Sequence, residues 1–166
     1  MSDDRADEPE DLDTPPSFFP YEDDDDEEQR FTGSTEPVKV RVEAVFATQT
    51  AEGKQYFVLL SDGERKLPIV IGQFEAAAIT FPLEGQQPDR PMTHDLFRNV
   101  LQRLEIGIKR VYIDDLWGTT YYAKVVIEKG GEELIIDSRP SDAIAMAVRC
   151  DAPIFVADGI LDQQGH

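Results

Sequence analysis

The chain of 166 residues has a single cysteine, Cys150, so it forms no disulfide within itself and no cysteine-based zinc cluster. It contains no apolar run of the roughly 18 residues that a membrane-spanning helix needs. Its first ten residues, MSDDRADEPE, lack the basic start and the apolar stretch of a secretory signal. Basic residues are scarce, with 16 Lys and Arg against 34 Asp and Glu. We therefore predict a soluble, cytoplasmic protein with no membrane association.

The net charge of −18 is concentrated at the start of the chain. Residues 1–36 contain fifteen acidic and two basic residues and show no hydrophobic periodicity. Their few apolar side chains cannot offset a backbone ordering cost of about 1–2 kcal/mol per residue. We predict a disordered acidic tail over 1–36 and a folded domain over 37–166. Phosphate contacts depend on Lys and Arg, so the charge argues against tight nucleic-acid binding, although the domain alone carries only −5.

Hydrophobic patterns in the domain predict two copies of one unit. Alternating apolar residues indicate strands near 38–46, 56–60 and 67–71, followed by a short helix that begins after Gly72 and ends at Pro82. The same order recurs from residue 110, and an offset of 67 residues superimposes Leu67 on Leu134 and Glu75 on Asp142. Strands grouped before helices favour α+β. We predict two β-β-β-α repeats that share one curved mixed sheet, with an additional helix between them.

The two helices of the first half have predicted buried faces. Phe74, Ala78 and Phe81 share one face of the short helix after Gly72. The additional helix has Thr93 as its expected N-cap and Asp95 in its first turn, where an acid complements the helix dipole. Its buried stripe is predicted to consist of apolar residues at helical spacing. These are Leu96, Phe97, Val100, Leu101 and Leu104.

Two segments at predicted helix starts are rich in side chains of the types found in catalytic and binding sites. They are RPMTHD at 90–95 and DSRPSD at 137–142. Each combines an arginine, a proline, a hydroxyl and an acid at a helix N-terminus, where free backbone N–H groups and the dipole attract anions. A neighbouring arginine could hold a phosphate by two parallel hydrogen bonds. Ordinary capping is the alternative, because proline at the first helical position is common. Arg139 could equally pair with Asp137 or Asp142, so both interpretations stay open.

Other side chains in these segments have two interpretations each. His94 could act as a general base or metal ligand, or it could be a structural histidine of the first turn. Asp142, Asp137 and perhaps Asp95 could bind Mg²⁺ or Mn²⁺, which prefer carboxylate oxygens. Glu75 lies at the repeat position of Asp142. It could be a second acid of that site, or it could simply interact favourably with the positive end of its own helix dipole. Cys150 has no histidine partner nearby in the sequence and is predicted to be a spectator.

The strings LPIVIGQFEAAAI, RPMTHDL and IDSRPSDAIAMAVRCDAPIFV resemble, in order and spacing, the bifunctional nuclease domain family over roughly residues 38–163. The resemblance implies an α+β fold of duplicated units, assembly as a homo-oligomer, and cleavage of both DNA and RNA. The tail has no counterpart in the family pattern. The residues that stand on the signature motifs are Arg90, Thr93, His94, Asp95, Asp137, Arg139, Ser141 and Asp142.

Together these observations predict a nuclease that acts transiently on DNA and RNA. The expected catalytic residues are His94, Asp95 and Asp142. The expected phosphate-binding residues are Arg90, Thr93, Arg139 and Ser141. The expected ligands of Mg²⁺ or Mn²⁺ are Asp137 and Asp142. The alternative is a non-catalytic oligomeric module that binds an acidic ligand or a protein partner. A third hypothesis is that the acidic tail inhibits the domain by occupying a basic groove as a phosphate mimic.

Overall fold

The computed structural model describes residues 31–165, so the predictions for residues 1–30, most of the acidic tail, lie outside the described range. The described part consists of strands and helices in the following order: β1 Pro37–Thr50, β2 Gly53–Ser61, β3 Lys66–Ile71, α1 Gln73–Leu83, α2 Thr93–Arg103, β4 Gly107–Trp117, β5 Thr120–Lys129, β6 Glu132–Ser138, α3 Pro140–Cys150, β7 Ile154–Ala157 and α4 Asp158–Gln164. Among these helices none is both long and apolar enough to cross a membrane.

All the strands belong to one mixed sheet with the order β3-β2-β1-β7-β4-β5-β6. β1, β2 and β3 form an antiparallel meander, and β4, β5 and β6 form a second one. The short strand β7 joins the two meanders because it pairs antiparallel with β1 and parallel with β4. The architecture confirms the predicted α+β fold with its shared mixed sheet. The sequence patterns did not predict β7 or α4.

The positions at which the helices and strands begin confirm the predicted duplication. α1 and α3 each span 11 residues, and their first residues, Gln73 and Pro140, are separated by the offset of 67 residues found in the sequence. β2 and β5 begin at Gly53 and Thr120, which have the same separation. α2 is the additional helix between the repeats. Equivalent positions of the two repeats therefore occupy equivalent places in the two halves of the fold.

The core lies between the sheet and the helices α1 and α3. Val58 and Leu60 of β2 and Val111 and Ile113 of β4 alternate with more exposed neighbours and are completely buried. α3 contributes Ile144 together with small residues that let it pack closely against α1 and the sheet. These small residues are Ala143, Ala145 and Ala147. Each large aliphatic side chain buried in this way contributes about 1.5–3 kcal/mol.

Residues 31–36, which the charge pattern assigned to the tail, pack against the domain. The Phe31 N–H donates to the Leu116 carbonyl (2.7 Å), and the Ser34 carbonyl accepts from the Gly159 N–H (2.9 Å). A Cβ at Gly159 would lie 2.6 Å from the Ser34 nitrogen, so this contact requires glycine. Residues 31–36 therefore belong with the folded domain, ahead of the predicted boundary at residue 37. Glu36 is the only acid of this segment, which is why charge alone misplaced the boundary.

The predicted face of α1 is confirmed at Ala78 and wrong at Phe74. Phe74 is 79% exposed, whereas Ala76, Ala78 and Ile79 are buried. The reason is that α1 packs against both the sheet and α3, and the close contact selects its small residues over its aromatic ring. Pro82 lies inside the last turn, and the helix continues to Leu83.

The predicted buried stripe of α2 is also wrong, because Leu101 is its only buried member. The others, between 43% and 59% exposed, are Leu96, Phe97, Val100 and Leu104. The rotation of α2 is fixed by polar contacts to α3, which turn His94 and Asp95 inward and carry the apolar stripe toward solvent. The N-cap is Met92 rather than Thr93, and the Asp95 carboxylate accepts its backbone N–H (3.0 Å).

Candidate active site

The first turns of α1, α2 and α3 bring together side chains that are far apart in the sequence. His94 Nε2 lies 2.9 Å from Asp142 Oδ1, across a separation of 48 residues. Both side chains are largely shielded from solvent, His94 at 17% and Asp142 at 32% exposed. An ionised carboxylate only accepts hydrogen bonds, so Nε2 carries the proton and donates it. The imidazole is then in the tautomer whose Nδ1 has a free lone pair, which is the form that can accept a proton.

Asp142 stays ionised in this environment. Partial burial acts to raise the pKa of Asp142, but the hydrogen bonds from Arg139 and His94 outweigh it and hold the pKa below its ordinary value. The carboxylate therefore persists to lower pH than that of a free aspartate. A permanent negative charge beside Nε2 stabilises the imidazolium that forms when Nδ1 takes up a proton.

Arg139, the N-cap residue of α3, connects the two repeats at this point. Its Nε and Nη2 donate to the two carboxylate oxygens of Asp142 (2.7 and 3.1 Å), and its Nη1 donates to Glu75 Oε1 (3.1 Å). Glu75 and Asp142 occupy equivalent repeat positions, so one guanidinium bridges a symmetry-related pair of acids. These contacts use three of the five N–H donors of the guanidinium. The side chain is 65% exposed, which leaves the other two donors facing solvent.

The charge balance of this cluster decides what it can bind. Glu75 and Asp142 each carry a negative charge and Arg139 a positive one, so the cluster is negative by one while His94 is neutral. Protonation of His94 brings the balance to zero. A phosphate oxygen is thus attracted by the exposed donors of Arg139 and by the imidazolium, and it is repelled by Glu75. The predicted phosphate-binding role of Arg139 stays a prediction.

Asp95, predicted to be catalytic, faces away from this cluster. Its Oδ2 accepts the Met92 N–H and its Oδ1 accepts from Arg149 Nε (2.7 Å). Partial burial acts to raise the pKa of Asp95, but the hydrogen bonds from Arg149 and the Met92 backbone outweigh it and lower the pKa. Both carboxylate oxygens are therefore engaged in holding α2 in place. Its catalytic role stays a prediction that this geometry does not favour.

Arg149 is a residue that the sequence reasoning missed. Its side chain is only 2% exposed, and its Nη1 donates to the carbonyl of Ala78 in α1 (2.5 Å) and of Ala145 in α3 (2.9 Å). With its bond to Asp95, it ties together the three helices that carry the cluster. An arginine inside the apolar helix segment AIAMAVRC was the available signal, because a buried charge needs partners.

The remaining predicted residues lie apart from the cluster. Arg90 and Thr93 are exposed and, within the described part of the chain, make no hydrogen bond to it. Ser141 is buried in the first turn of α3. Asp137 is exposed on β6 and, by strand alternation, points to the face of the sheet opposite to that of Ser138. The structure thus unites His94, Arg139 and Asp142, adds Glu75, and leaves the others outside.

The predicted Mg²⁺ or Mn²⁺ site finds no matching set of ligands. Among residues 31–165, no three His, Cys, Asp or Glu side chains are grouped so that they could hold a metal ion. Asp142 already accepts hydrogen bonds at both oxygens, and Asp137 lies on the other side of the sheet. Residues 31–165 therefore do not provide a dedicated set of ligands for the predicted metal ion.

Cys150 takes no part in the cluster. Burial raises the pKa of its thiol, as for an unreactive cysteine.

Comparisons with known proteins agree on one family. The sequence model described as "Bifunctional nuclease domain" matches residues 58–166. The uncharacterized protein Rv1829 of Mycobacterium tuberculosis is 38% identical over 127 residues, which cover 76% of each chain. Bifunctional nuclease 2 of rice (Oryza sativa subsp. japonica) is 30% identical over 101 residues, covering 58% of this chain and 31% of the relative. Bifunctional nuclease 2 of Arabidopsis thaliana is 27% identical over 93 residues, covering 54% and 28%.

Proposed function

Because the chain belongs to the bifunctional nuclease domain family, we propose that it is a nuclease that hydrolyses phosphodiester bonds of both DNA and RNA. The observation that supports this proposal is the His94–Asp142 pair with Arg139 beside it. A histidine oriented by a carboxylate is a general base, and a guanidinium beside it can hold a phosphate. The three groups lie at adjacent helix starts, where a strand of nucleic acid can approach from solvent.

A reaction common to DNA and RNA cannot use the 2′-hydroxyl as the nucleophile, because DNA has none, and we assign this role to water. Nδ1 of His94 takes a proton from that water as it attacks phosphorus. The P–O bond to the leaving sugar oxygen breaks, and that oxygen takes up a proton from solvent. Asp142 keeps the proton of Nε2 in place and stabilises the resulting imidazolium. The two solvent-facing N–H donors of Arg139 hydrogen-bond the non-bridging phosphate oxygens, whose negative charge grows in the transition state.

A cleavage assay on the purified full chain tests the proposal. We expect hydrolysis of single-stranded DNA, duplex DNA and RNA in every fraction in proportion to the protein, because the activity belongs to this chain. Parallel reactions with Mg²⁺, with Mn²⁺ and with EDTA test the predicted metal. Activity that separates from the protein on a second column would contradict the proposal and favour the non-catalytic binding module instead.

We also propose that the chain self-associates through β6, at one edge of the sheet. Three consecutive aliphatic residues of β6 are exposed, Leu134 at 52%, Ile135 at 67% and Ile136 at 46%. The other edge strand, β3, is protected by Pro68, which cannot donate to a neighbouring strand. β6 has no proline or lysine, and within residues 31–165 no strand pairs with its outer edge, so the N–H and C=O groups of that edge are open to a second chain. A second copy of β6 supplies the same apolar strand in an isologous contact.

Replacing Ile135 with lysine is expected to make the protein monomeric. The unmodified chain should elute as an oligomer of its 18.7 kDa subunit, and Ile135→Lys as the subunit itself, by size-exclusion chromatography with light scattering. The positive charge of the lysine side chain opposes edge pairing, because pairing with a second strand would remove water from that charge. Val70→Lys is the matched control, because Val70 is 56% exposed on the protected edge strand β3. An oligomer that survives Ile135→Lys, or a monomeric parent, would disprove pairing through β6.

A further inference from the structure

A polar cleft of about 430 Å³ lies beside the candidate active site, on another side of α2. Its walls are the end of α1, the loop at 85–88, the residues Asp95, Arg98 and Asn99 of α2, and the end of α3 at Val148 and Arg149. We name it the Arg98 cleft. Its volume is within the range of sites that take small organic ligands, about 300–1,000 Å³. None of the chemistry described above uses it.

The Arg98 cleft is positively charged, although the whole chain carries −18. Arg149 and Asp95 neutralise each other through their ion pair at 2.7 Å. The remaining charge in the cleft is that of Arg98, which makes no ion pair with any residue of the 31–165 range. Gln86, Gln87 and Asn99 add uncharged hydrogen-bond donors to the walls. The cleft therefore suits a ligand with a negative end.

Arg98 has a buried donor that nothing in the described protein satisfies. Its Nε is shielded from solvent and has no hydrogen-bond partner. Leaving a buried donor unsatisfied costs about 1–3 kcal/mol, and more when the group is charged. Turning the Arg98 side chain so that Nε faces the cleft would let an oxyanion accept from Nε and one Nη in parallel, and this would remove the cost. The natural partner of a guanidinium is a carboxylate or a phosphate, and the one carboxylate that lines the cleft, that of Asp95, already accepts hydrogen bonds from Arg149 and from the Met92 N–H at its two oxygens.

We infer that the Arg98 cleft binds the phosphate group of a nucleotide. The inference rests on the proposed nuclease function, because cleavage generates strand ends that carry phosphate. The cleft exceeds the size of inorganic phosphate alone, and Phe81, Pro82, Pro88 and Pro91 provide flat apolar surfaces for a base. His94 and Arg98 are four residues apart on α2, about one helical turn. A nucleotide in the cleft therefore lies next to the helix segment that carries the catalytic histidine.

Calorimetric titration of the full chain in EDTA tests this inference with AMP, adenosine and inorganic phosphate as separate ligands. We expect AMP to bind, phosphate to bind more weakly, and adenosine to bind least. Arg98→Met should weaken AMP binding by about 10- to 100-fold, because a charge-assisted bidentate contact is lost. Arg103→Met is the control, since Arg103 is exposed one turn further along α2 and does not line the cleft. A 5′-phosphorylated oligonucleotide that competes with AMP would show that strand ends, as well as free nucleotides, occupy the cleft.

The outcomes separate this inference from the proposed function. AMP binding that Arg98→Met leaves unchanged, or adenosine binding as tightly as AMP, would overturn the inference even if the chain cleaves DNA and RNA. If the chain has no nuclease activity but binds AMP in a way that depends on Arg98, the result would support nucleotide binding in the Arg98 cleft and reject the proposed function. Absence of AMP binding at millimolar concentration would also overturn the inference. The unfolding transition of Arg98→Met, compared with that of Arg103→Met, shows whether the variant is folded.

Discussion

Replacing His94 with glutamine is expected to lower the rate of DNA and RNA hydrolysis by about 10²- to 10⁴-fold, the usual contribution of a positioned general base. Glutamine retains a hydrogen-bond donor for Asp142 Oδ1 but has no nitrogen that can accept a proton from water. The protein should therefore keep its fold and its affinity for nucleic acid. Initial rates on a fluorescent DNA substrate and a fluorescent RNA substrate, with an unfolding curve for the variant, measure this effect.

The neighbouring carboxylates provide a matched pair of variants. Asp142→Asn and Glu75→Gln make the same chemical change at equivalent repeat positions, and both remove a charge beside Arg139. Only Asp142 also contacts His94. We expect Asp142→Asn to reduce the hydrolysis rate about as strongly as His94→Gln, because the imidazolium loses its counter-charge. Glu75→Gln should change the rate by less than about tenfold and should tighten substrate binding, because it removes a repelling charge.

Equal rate losses in the two carboxylate variants would contradict this assignment, because they would show that Arg139, not His94, is the group that matters. Unchanged rates in both His94→Gln and Asp142→Asn would place the chemistry elsewhere. Asp142 accepts two hydrogen bonds from Arg139 and Glu75 accepts one, so unfolding curves of both variants are measured to separate destabilisation of the cluster from the loss of the histidine contact.

Replacing Arg149 with methionine is expected to lower the free energy of unfolding by about 3–5 kcal/mol, the cost of breaking a buried ion pair by removing one partner. The Asp95 carboxylate would lose its counter-charge, and the Ala78 carbonyl would lose its donor. Methionine fills similar space, so the effect comes mainly from the lost polar contacts and not from a cavity. Urea unfolding followed by circular dichroism measures the change.

A double-mutant cycle with Asp95→Asn identifies the origin of this loss. Asparagine can still accept the Met92 N–H, so the helix cap is retained. We expect the double variant to be more stable than the sum of the single losses predicts, because the uncompensated charge disappears.

Arg103→Met is the control for Arg149→Met. Arg103 is exposed on α2, and its replacement should change the free energy of unfolding by no more than about 0.5 kcal/mol. A loss below about 1 kcal/mol for Arg149→Met would show that Arg149 does not hold the three helices together.

Some of the fold was predictable from the sequence because its causes are local. The alternation of Val38, Val40 and Val42 and the turn at Asp62-Gly63 mark the strands and hairpins of the first repeat. The offset of 67 residues then carries the same assignment to the second repeat. β7 escaped prediction because it has only four residues, IFVA, too few to show a period. Its place between β1 and β4 depends on pairing with both repeats at once.

The duplicated α+β unit, the family and the density of reactive side chains at two helix starts can all be read from the amino-acid order. Which of those side chains meet depends on how the helices pack. Asp95 is adjacent to His94 in the sequence, yet it turns to Arg149, and His94 pairs with Asp142 across 48 residues. The rotation of α2 is set by two long-range contacts with α3, the Asp95–Arg149 ion pair and the His94–Asp142 hydrogen bond. A helical period shows which residues share a face, but not which partner that face will have.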